Sequence, residues 1–152
     1  MPALRELVND ALKASMKSRD AAKTSALRMM LAALKERDVE ARGGGRPAAS
    51  DDDLLAAFAK MIRQREESAK AFDDGARPEL AAKERAEIEV IRGFLPKQMD
   101  AAETEAAVAA AIAETGAATV RDMGKVMAVL KARHTGAMDF GKAGALVKSK
   151  LG

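Results

Sequence analysis

Apolar residues recur at intervals of three and four along most of this sequence. In "LRELVNDALKASM" the stripe runs from Leu4 through Val8 to Met16, on one face of a 3.6-residue helix. The segment "TSALRMMLAALKERDVEA" repeats this spacing from Leu27 to Val39. Ala, Leu, Lys, Arg, Glu and Met, which favour helices, are abundant, whereas Tyr and Trp are absent. The sequence therefore predicts an all-α protein.

Capping and breaking residues place the ends of the first helices. Thr24 or Ser25 is a suitable N-cap for the second helix. The glycine-rich stretch "ARGGGRPAAS" at 41–50 predicts a loop. Ser50 and Asp53 then resemble a capping box, which starts a third helix that continues to about residue 72.

Two prolines delimit a fourth helix. Pro78 follows the short turn "DDGARP" and is favourable in the first turn of a helix, and the helix ends before Pro96. Because only a short turn joins the two long helices, we expect them to form an antiparallel hairpin. The segment "PKQMD" at 96–100 is interpreted as a hinge. Residues 1–96 are thus predicted to be an N-terminal four-helix domain.

Three shorter helices are predicted after the hinge, forming a small C-terminal bundle over 97–152. Asp100, with Glu103, caps a helix over 101–114, and Thr119, with Asp122, caps the next one. Gly136 ends that helix, and a last helix is predicted over about 139–150.

The absence of cysteine excludes disulfides and thiolate metal sites, so a reducing compartment is expected. The first residues, "MPALRELVND", contain no apolar core of a signal peptide. No window approaches the roughly 18 apolar residues of a membrane helix. We therefore expect a cytoplasmic protein with no membrane partner.

The sequence contains no recognisable catalytic constellation. His134 is the single histidine, and its place at the end of a helix suits a cation that interacts with the helix dipole. "GGGR" lacks the Lys-Ser/Thr of a phosphate-binding P-loop, and no Glu-x-x-His element of a carboxylate metal site is present. We predict no catalytic residue, no cofactor and no metal site.

Charges of mixed sign on the third and fourth helices predict a solvated face. They lie in "RQREESAK" at 63–70, and surface ion pairs are expected for Glu84, Glu87 and Glu89. The nine methionines lie at helical spacing and are interpreted as core residues, although methionines can also form a partner groove.

Positive charge is concentrated at the end of the chain. Residues 121–152 have a net charge of +5, whereas residues 101–120 have −3. The side chains that could contact phosphates are Lys125, Lys131, Arg133, Lys142, Lys148 and Lys150. Gly141 and Gly144 would allow a close backbone approach, and the last helix would add N-terminal N–H groups. With no aromatic residue except four Phe, we expect recognition of shape and charge and little reading of bases.

Three long segments resemble the YqeY-like family, which shares the GatB/YqeY domain. They are "LRMMLAALKERDVEAR", "MIRQREESAKAFDDGARPELAAKERAEIEVIRGFLPKQM" and "AIAETGAATVRDMGKVMAVLKARHTGAMDFGKAGALVKSKL". The resemblance implies an all-α fold with a three-helix C-terminal part. It also implies a relation to the tail of the B subunit of the tRNA-dependent amidotransferase, a domain that helps to hold tRNA. The family label is a carbon–nitrogen ligase with glutamine as amido-N-donor.

The resemblance carries a tRNA-facing role to specific positions of the C-terminal part. They are Gly124, Lys125, Lys131, Arg133, Gly136, Lys142 and Lys148. The link "HTGAMDF" departs from the Lys/Gly-rich link of the tail domains, which predicts a weaker phosphate contact there. The expected function is a non-catalytic accessory protein that binds tRNA, with no DNA partner. An adaptor for an aminoacyl-tRNA synthetase or an amidotransferase subunit, and an amidotransferase enzyme, stay open as alternatives.

Overall fold

A computed structural model describes residues 3–152 of the chain. These residues form seven α-helices and a 3-10 helix, and no strand occurs among them, which confirms the all-α prediction. The α-helices are α1 (Leu4–Lys17), α2 (Ala21–Gly43), α3 (Asp51–Asp74), α4 (Pro78–Arg92), α5 (Ala101–Thr115), α6 (Met123–His134) and α7 (Phe140–Leu151). The 3-10 helix, Val120–Asp122, directly precedes α6.

The chain divides into two compact units, which we call the N-terminal unit and the C-terminal unit. The first ends at Leu95 and contains α1 to α4, and the second spans Pro96–Gly152 and contains α5 to α7. The prediction that residues 1–96 and residues 97–152 are two domains that fold independently stays a prediction. Among residues 3–152, no helix is long and apolar enough to cross a bilayer.

The core of the N-terminal unit takes one apolar stripe from each of its four helices. The side chains with no more than traces of exposure are Val8, Leu27, Met30, Leu54, Phe58 and Ile91. Complete burial of one such side chain stabilises the fold by about 1.5–3 kcal/mol. The four stripes therefore supply most of the apolar burial that holds α1 to α4 together.

Three residues of these stripes are on the surface. Leu7 is 42% exposed, Met16 is 46% exposed and Val39 is 61% exposed, so their predicted burial is wrong. Each stripe contains more apolar residues than the neighbouring helices cover. Met16 lies in the last turn of α1, where the exposed side chain becomes part of a groove described below.

The caps of α2 and α3 differ in how well they could be predicted. The box at α3 is confirmed: Asp53 N donates to Ser50 Oγ at 3.1 Å, and Ser50 N donates to Asp53 Oδ2 at 2.9 Å. The cap predicted for α2 at Thr24 or Ser25 is wrong. The N-cap is Asp20, which accepts from Lys23 N at 3.1 Å, and Thr24 is buried one turn inside the helix.

A partly buried ion pair joins α3 to α4. Arg65 Nε lies 3.0 Å from Glu87 Oε2, and the two side chains are only 13% and 9% exposed. The predicted surface position of Glu87 is therefore wrong. Removing the two charges from water costs free energy, which their attraction and the Arg65 bond to the Met61 carbonyl, at 3.3 Å, offset.

Asp38 connects α1, α2 and the segment that follows α2. Arg5 donates to both carboxylate oxygens of Asp38 at 3.0 Å, and it also donates to the Ala49 carbonyl at 3.0 Å. Ala49 N donates to Asp38 Oδ1 at 2.9 Å. The hydrogen bonds from Arg5 and from Ala49 N lower the pKa of Asp38 from 3.8 to about 2.

The C-terminal unit has its own apolar core. Its buried residues are Val108, Ala111, Val126, Leu130, Met138, Ala143 and Val147. The segment interpreted as a hinge is held against the turn after α6. Met99 N donates to the Ala137 carbonyl at 2.9 Å, and Gln98 Nε2 donates to the Gly136 carbonyl at 2.6 Å. Residues 98 and 99 are therefore ordered parts of this unit.

Candidate nucleic-acid interface

The 3-10 helix that leads into α6 starts at a well-formed cap. Before α6, Thr119 and Asp122 form the predicted capping box. Asp122 Oδ2 accepts from Ala118 N at 2.9 Å and from Thr119 N at 3.2 Å. These bonds favour the ionised carboxylate and lower the pKa of Asp122 below its ordinary value. This box fixes the start of the 3-10 helix, and α6 follows it directly at Met123.

Four of the predicted phosphate contacts are exposed lysines: Lys125, Lys131, Lys142 and Lys148. Among residues 3–152, no carboxylate lies within 4.0 Å of any of these four ammonium groups. An exposed lysine without an ion pair can contact a phosphate without first breaking an internal interaction. These four side chains are therefore the strongest candidates for binding a polyanion.

Lys131 lies on α6 and Lys148 on α7, and these two helices pack against each other. A Cβ atom at Gly144 would lie 3.5 Å from Cε of Met123, so these two positions face each other. Lys148 follows Gly144 by four residues and therefore lies on the side of α7 that carries Gly144. Lys131 follows Met123 by eight residues, which is a rotation of about 80° away from Met123 around the axis of α6.

Lys125 and Lys142 lie on other faces of the same two helices. Lys125 is six residues from Lys131, and Lys142 is six residues from Lys148, which in each case is a rotation of about 120° around the helix axis. Lys142 lines a cavity of about 490 Å³ that is also lined by Asp100, Glu105 and Asp139. The negative potential of these carboxylates weakens the attraction of Lys142 for a phosphate.

The predicted role of Arg133 does not agree with its contacts. Its two terminal nitrogens donate to the two carboxylate oxygens of Glu114, both at 2.6 Å. This hydrogen-bonded pair lowers the pKa of Glu114 and raises that of Arg133. A phosphate would have to compete with a bidentate carboxylate, so Arg133 is not a free contact. Lys150 likewise lies 3.6 Å from Glu105.

Of the two glycines carried over from the resemblance, one is buried and one is open. Gly136 is buried, with φ of 84°, a left-handed conformation that glycine adopts without strain. Its role is the turn after α6, and burial removes it from the candidate surface. Gly124 is exposed, and no atom lies within 4 Å of where its Cβ would be.

The N-terminus of α7 already has an anionic partner. Asp139 Oδ1 accepts from Gly141 N at 3.0 Å and from Lys142 N at 3.2 Å. The carboxylate satisfies these N–H groups and would repel a phosphate. Two of the N–H groups that were expected to be free for a phosphate are therefore occupied, and phosphate binding at this helix end stays a prediction. Asp139 was visible in the sequence, and an aspartate directly before a helix is the signal that identifies it as the cap.

The part of the chain that the structure describes contains no group of three or more acidic or histidine side chains placed to hold a metal ion. His134 is the last residue of α6, and its carbonyl accepts from Ala137 N at 3.0 Å and Met138 N at 3.1 Å.

These features define a small all-helical protein with a basic C-terminal unit. The chain matches the model of the family described as Yqey-like protein over residues 5–151, and it belongs to that family.

The chain is similar to several fungal proteins. One of them is the Candida glabrata protein named Altered inheritance of mitochondria protein 41, mitochondrial. The chain is 36% identical to it over 84 residues, and this aligned segment covers 55% of this chain and 45% of that protein. The Saccharomyces cerevisiae protein of the same name is 32% identical over 89 residues, which is 59% of this chain and 46% of that protein. An uncharacterised Schizosaccharomyces pombe protein is 31% identical over 97 residues, covering 64% and 76%.

The chain spans less than half the length of the first two of these relatives. Their names place them in mitochondria, and the cytoplasmic location expected for this chain stays a prediction.

Proposed function

We propose that this protein is a non-catalytic accessory protein that binds structured RNA, tRNA above all, through the C-terminal unit. The observation that carries the proposal is the presence of exposed lysines on both α6 and α7, Lys131 and Lys148 among them. Neither of these two has a carboxylate within ion-pair distance among the described residues. Several exposed ammonium groups on one small unit can contact more than one phosphate of a nucleic-acid backbone.

The exposed backbone at Gly124, in the first turn of α6, supports the same proposal. Apart from its chain neighbours and the backbone of its own helix, no described atom lies within 4 Å of where its Cβ would be. The position leaves room for a sugar-phosphate chain to approach α6 closely. Family membership supports the proposal through the resemblance to the amidotransferase tail that holds tRNA.

Filter binding of labelled tRNA to the full-length chain tests this proposal. Affinity should fall as salt rises, because each phosphate contact releases bound counterions, with a slope of about 0.7–0.9 per contact. Lys131→Ala and Lys148→Ala should each reduce this slope by roughly one. Lys142→Ala should have a smaller effect, because carboxylates share its surroundings.

The matched control is Lys60→Ala, which removes an exposed lysine from α3 in the N-terminal unit. It should leave tRNA affinity unchanged. Competition with duplex DNA should be weak. Absence of tRNA binding at low salt, or an equal loss in Lys60→Ala, would reject the proposal.

An adaptor for an aminoacyl-tRNA synthetase or amidotransferase subunit is a second candidate. It is favoured by exposed large apolar side chains in the N-terminal unit, among them Met16 and Met29. Pull-down with each purified enzyme after nuclease treatment separates the two candidates, because an RNA-mediated association is lost. Transamidation or glutaminase activity of the pure chain would contradict both and favour the enzyme alternative.

A further inference from the structure

A shallow, open surface depression lies between the end of α1 and the first half of α2, and we call it the α1–α2 groove. Its volume is about 630 Å³. The residues that line it are Met16, Arg19, Ala21, Thr24, Ser25, Arg28, Met29 and Ala32. Of the residues that make this groove, seven are exposed, and only Thr24 is buried.

The floor of the groove is apolar and adaptable. Met16 is 46% exposed and Met29 is 38% exposed, whereas the adjacent Met30 is fully buried. Methionine has a flexible, polarisable side chain that adapts to the shape of a partner. On α2 the lining residues Ser25, Arg28, Met29 and Ala32 follow the i, i+3, i+4, i+7 spacing of one helix face. A continuous helical face of this kind suits a second helix.

The charge of the groove has one sign. Its lining includes Arg19 and Arg28 and no carboxylate. Within residues 3–152 neither arginine takes part in an ion pair, and Arg28 Nη2 donates to Met16 Sδ at 3.8 Å. The carboxylate of Asp20, next to Arg19 in sequence, accepts from Lys23 N as the cap of α2. Neither guanidinium group beside the two methionines is therefore engaged in an ion pair.

Arg19 is held in an unfavourable backbone conformation. Its φ is 58°. Two backbone hydrogen bonds close the end of α1 around it: Asp20 N donates to the Ser15 carbonyl at 3.0 Å, and Arg19 N donates to the Met16 carbonyl at 3.3 Å. Glycine is the usual residue there, because a left-handed conformation costs other residues about 1–2 kcal/mol. The arginine thus places a guanidinium at the groove despite this cost.

From these observations we propose that the α1–α2 groove binds an acidic amphipathic helix of a partner protein. Apolar side chains of that helix contact Met16, Met29 and Ala32, and its carboxylates pair with Arg19 and Arg28. The combination of an apolar helical face and unopposed arginines matches helix-in-groove recognition. The proposal is independent of RNA binding, because the groove lies in the N-terminal unit. It supplies a surface for the adaptor candidate.

Fluorescence polarisation with a designed peptide tests the proposal on the full-length chain. The probe is a fluorescein-labelled helical peptide with Leu at i, i+3, i+4 and i+7 and Glu at the flanking positions. Arg28→Glu should weaken its binding about tenfold or more, because an attractive charge pair becomes repulsive. Arg28→Ala should have a smaller effect in the same direction. Circular dichroism confirms that both variants are folded.

Two matched controls separate specific binding from general attraction. Arg63→Glu makes the same charge change at an exposed arginine of α3 and should leave peptide binding unchanged. A peptide with every Glu replaced by Lys should bind far more weakly. Absence of binding up to about 1 mM peptide would overturn the proposal, because a Kd of about 1 mM corresponds to a binding free energy of only about −4 kcal/mol. Equal binding of the Lys peptide, or an equal loss in Arg63→Glu, would also overturn it.

The other occupants of the groove give different results. If Arg28→Glu lowers tRNA affinity and leaves peptide binding unchanged, the groove binds RNA and the proposal is wrong. If sedimentation shows a concentration-dependent dimer that Arg28→Glu abolishes, the occupant is a second copy of the chain, and the proposal is again wrong.

Discussion

Ala76 illustrates how a single residue can cost stability in an otherwise regular fold. It lies in the turn between α3 and α4 with φ of 56°. Arg77 N donates to the Phe72 carbonyl at 2.7 Å and Ala76 N donates to the Asp73 carbonyl at 3.1 Å, a geometry that closes the end of α3. The position next to Gly75 therefore has the conformation that glycine prefers, although alanine occupies it.

We expect Ala76→Gly to stabilise the protein. Relief of the strain of the left-handed conformation raises the free energy of unfolding by about 1–2 kcal/mol. The greater conformational freedom of glycine in the unfolded chain lowers it again by about 0.5–1 kcal/mol. The free energy of unfolding should rise by up to about 1 kcal/mol, measured by urea denaturation. The control Ala82→Gly, at an exposed site inside α4, should lower it by about 1 kcal/mol. A loss of stability in both variants would contradict this account.

At the scale of secondary-structure elements, Asp38 shows how one side chain joins three segments. It lies on α2, and its carboxylate accepts hydrogen bonds from both terminal guanidinium nitrogens of Arg5 on α1. It also accepts a hydrogen bond from Ala49 N just before α3. Its side chain is 14% exposed. The segment 44–50 has no helix of its own, so this carboxylate is a main determinant of its path.

The lowered pKa of Asp38 predicts acid-dependent stability. Because the pKa is depressed in the folded state, the ionised carboxylate stabilises the fold above the ordinary value of 3.8, and this contribution is lost as the pH falls to about 2. Asp38→Asn should therefore lower stability at pH 7 and flatten the loss of stability between these two pH values. Urea denaturation over this range measures both effects.

Asp10→Asn is the matched control, because Asp10 is exposed on α1 and forms no ion pair with any of residues 3–152. It should change neither quantity by more than a few tenths of a kcal/mol. If it flattens the acid dependence as much as Asp38→Asn does, the network around Arg5 is not the cause.

At the scale of the whole molecule, the position of charge matters more than its amount. The net charge is only +3, a value that by itself would give weak steering of a polyanion. In the C-terminal unit, Arg133 and Lys150 are paired with acids, whereas four lysines are exposed without an ion-pair partner among the described residues. The local field near these lysines should therefore exceed what the total charge indicates.

Two variants with equal net charge separate position from amount. Replacing Lys125, Lys131, Lys142 and Lys148 by Ala changes the net charge from +3 to −1, because four positive charges are lost. Replacing Lys13, Lys35, Lys60 and Lys70, all exposed on helices of the N-terminal unit, gives the same −1. We expect the first variant to lose the salt-dependent tRNA binding and the second to retain most of it. Equal losses would show that only net charge matters.

The structure also shows why some site residues could not be predicted from the sequence. Arg133 and Glu114 are 19 residues apart, and Arg65 and Glu87 are 22 apart. Nothing in the local pattern shows that they meet, because each pair joins two different helices. The exposure of Met16 and Met29 could not be predicted for a related reason. Helical spacing shows that an apolar face exists, but the burial of that face depends on the helices placed beside it.

By itself, the sequence determined the all-α class, the caps at Ser50, Asp100 and Asp122, and membership of the family. These properties depend on contacts within about one helical turn, or on long runs of residues read together. Only the tertiary structure decided which charges are paired and which apolar residues stay exposed. Ion pairing and burial depend on which helix faces lie side by side, and local spacing carries no information about that.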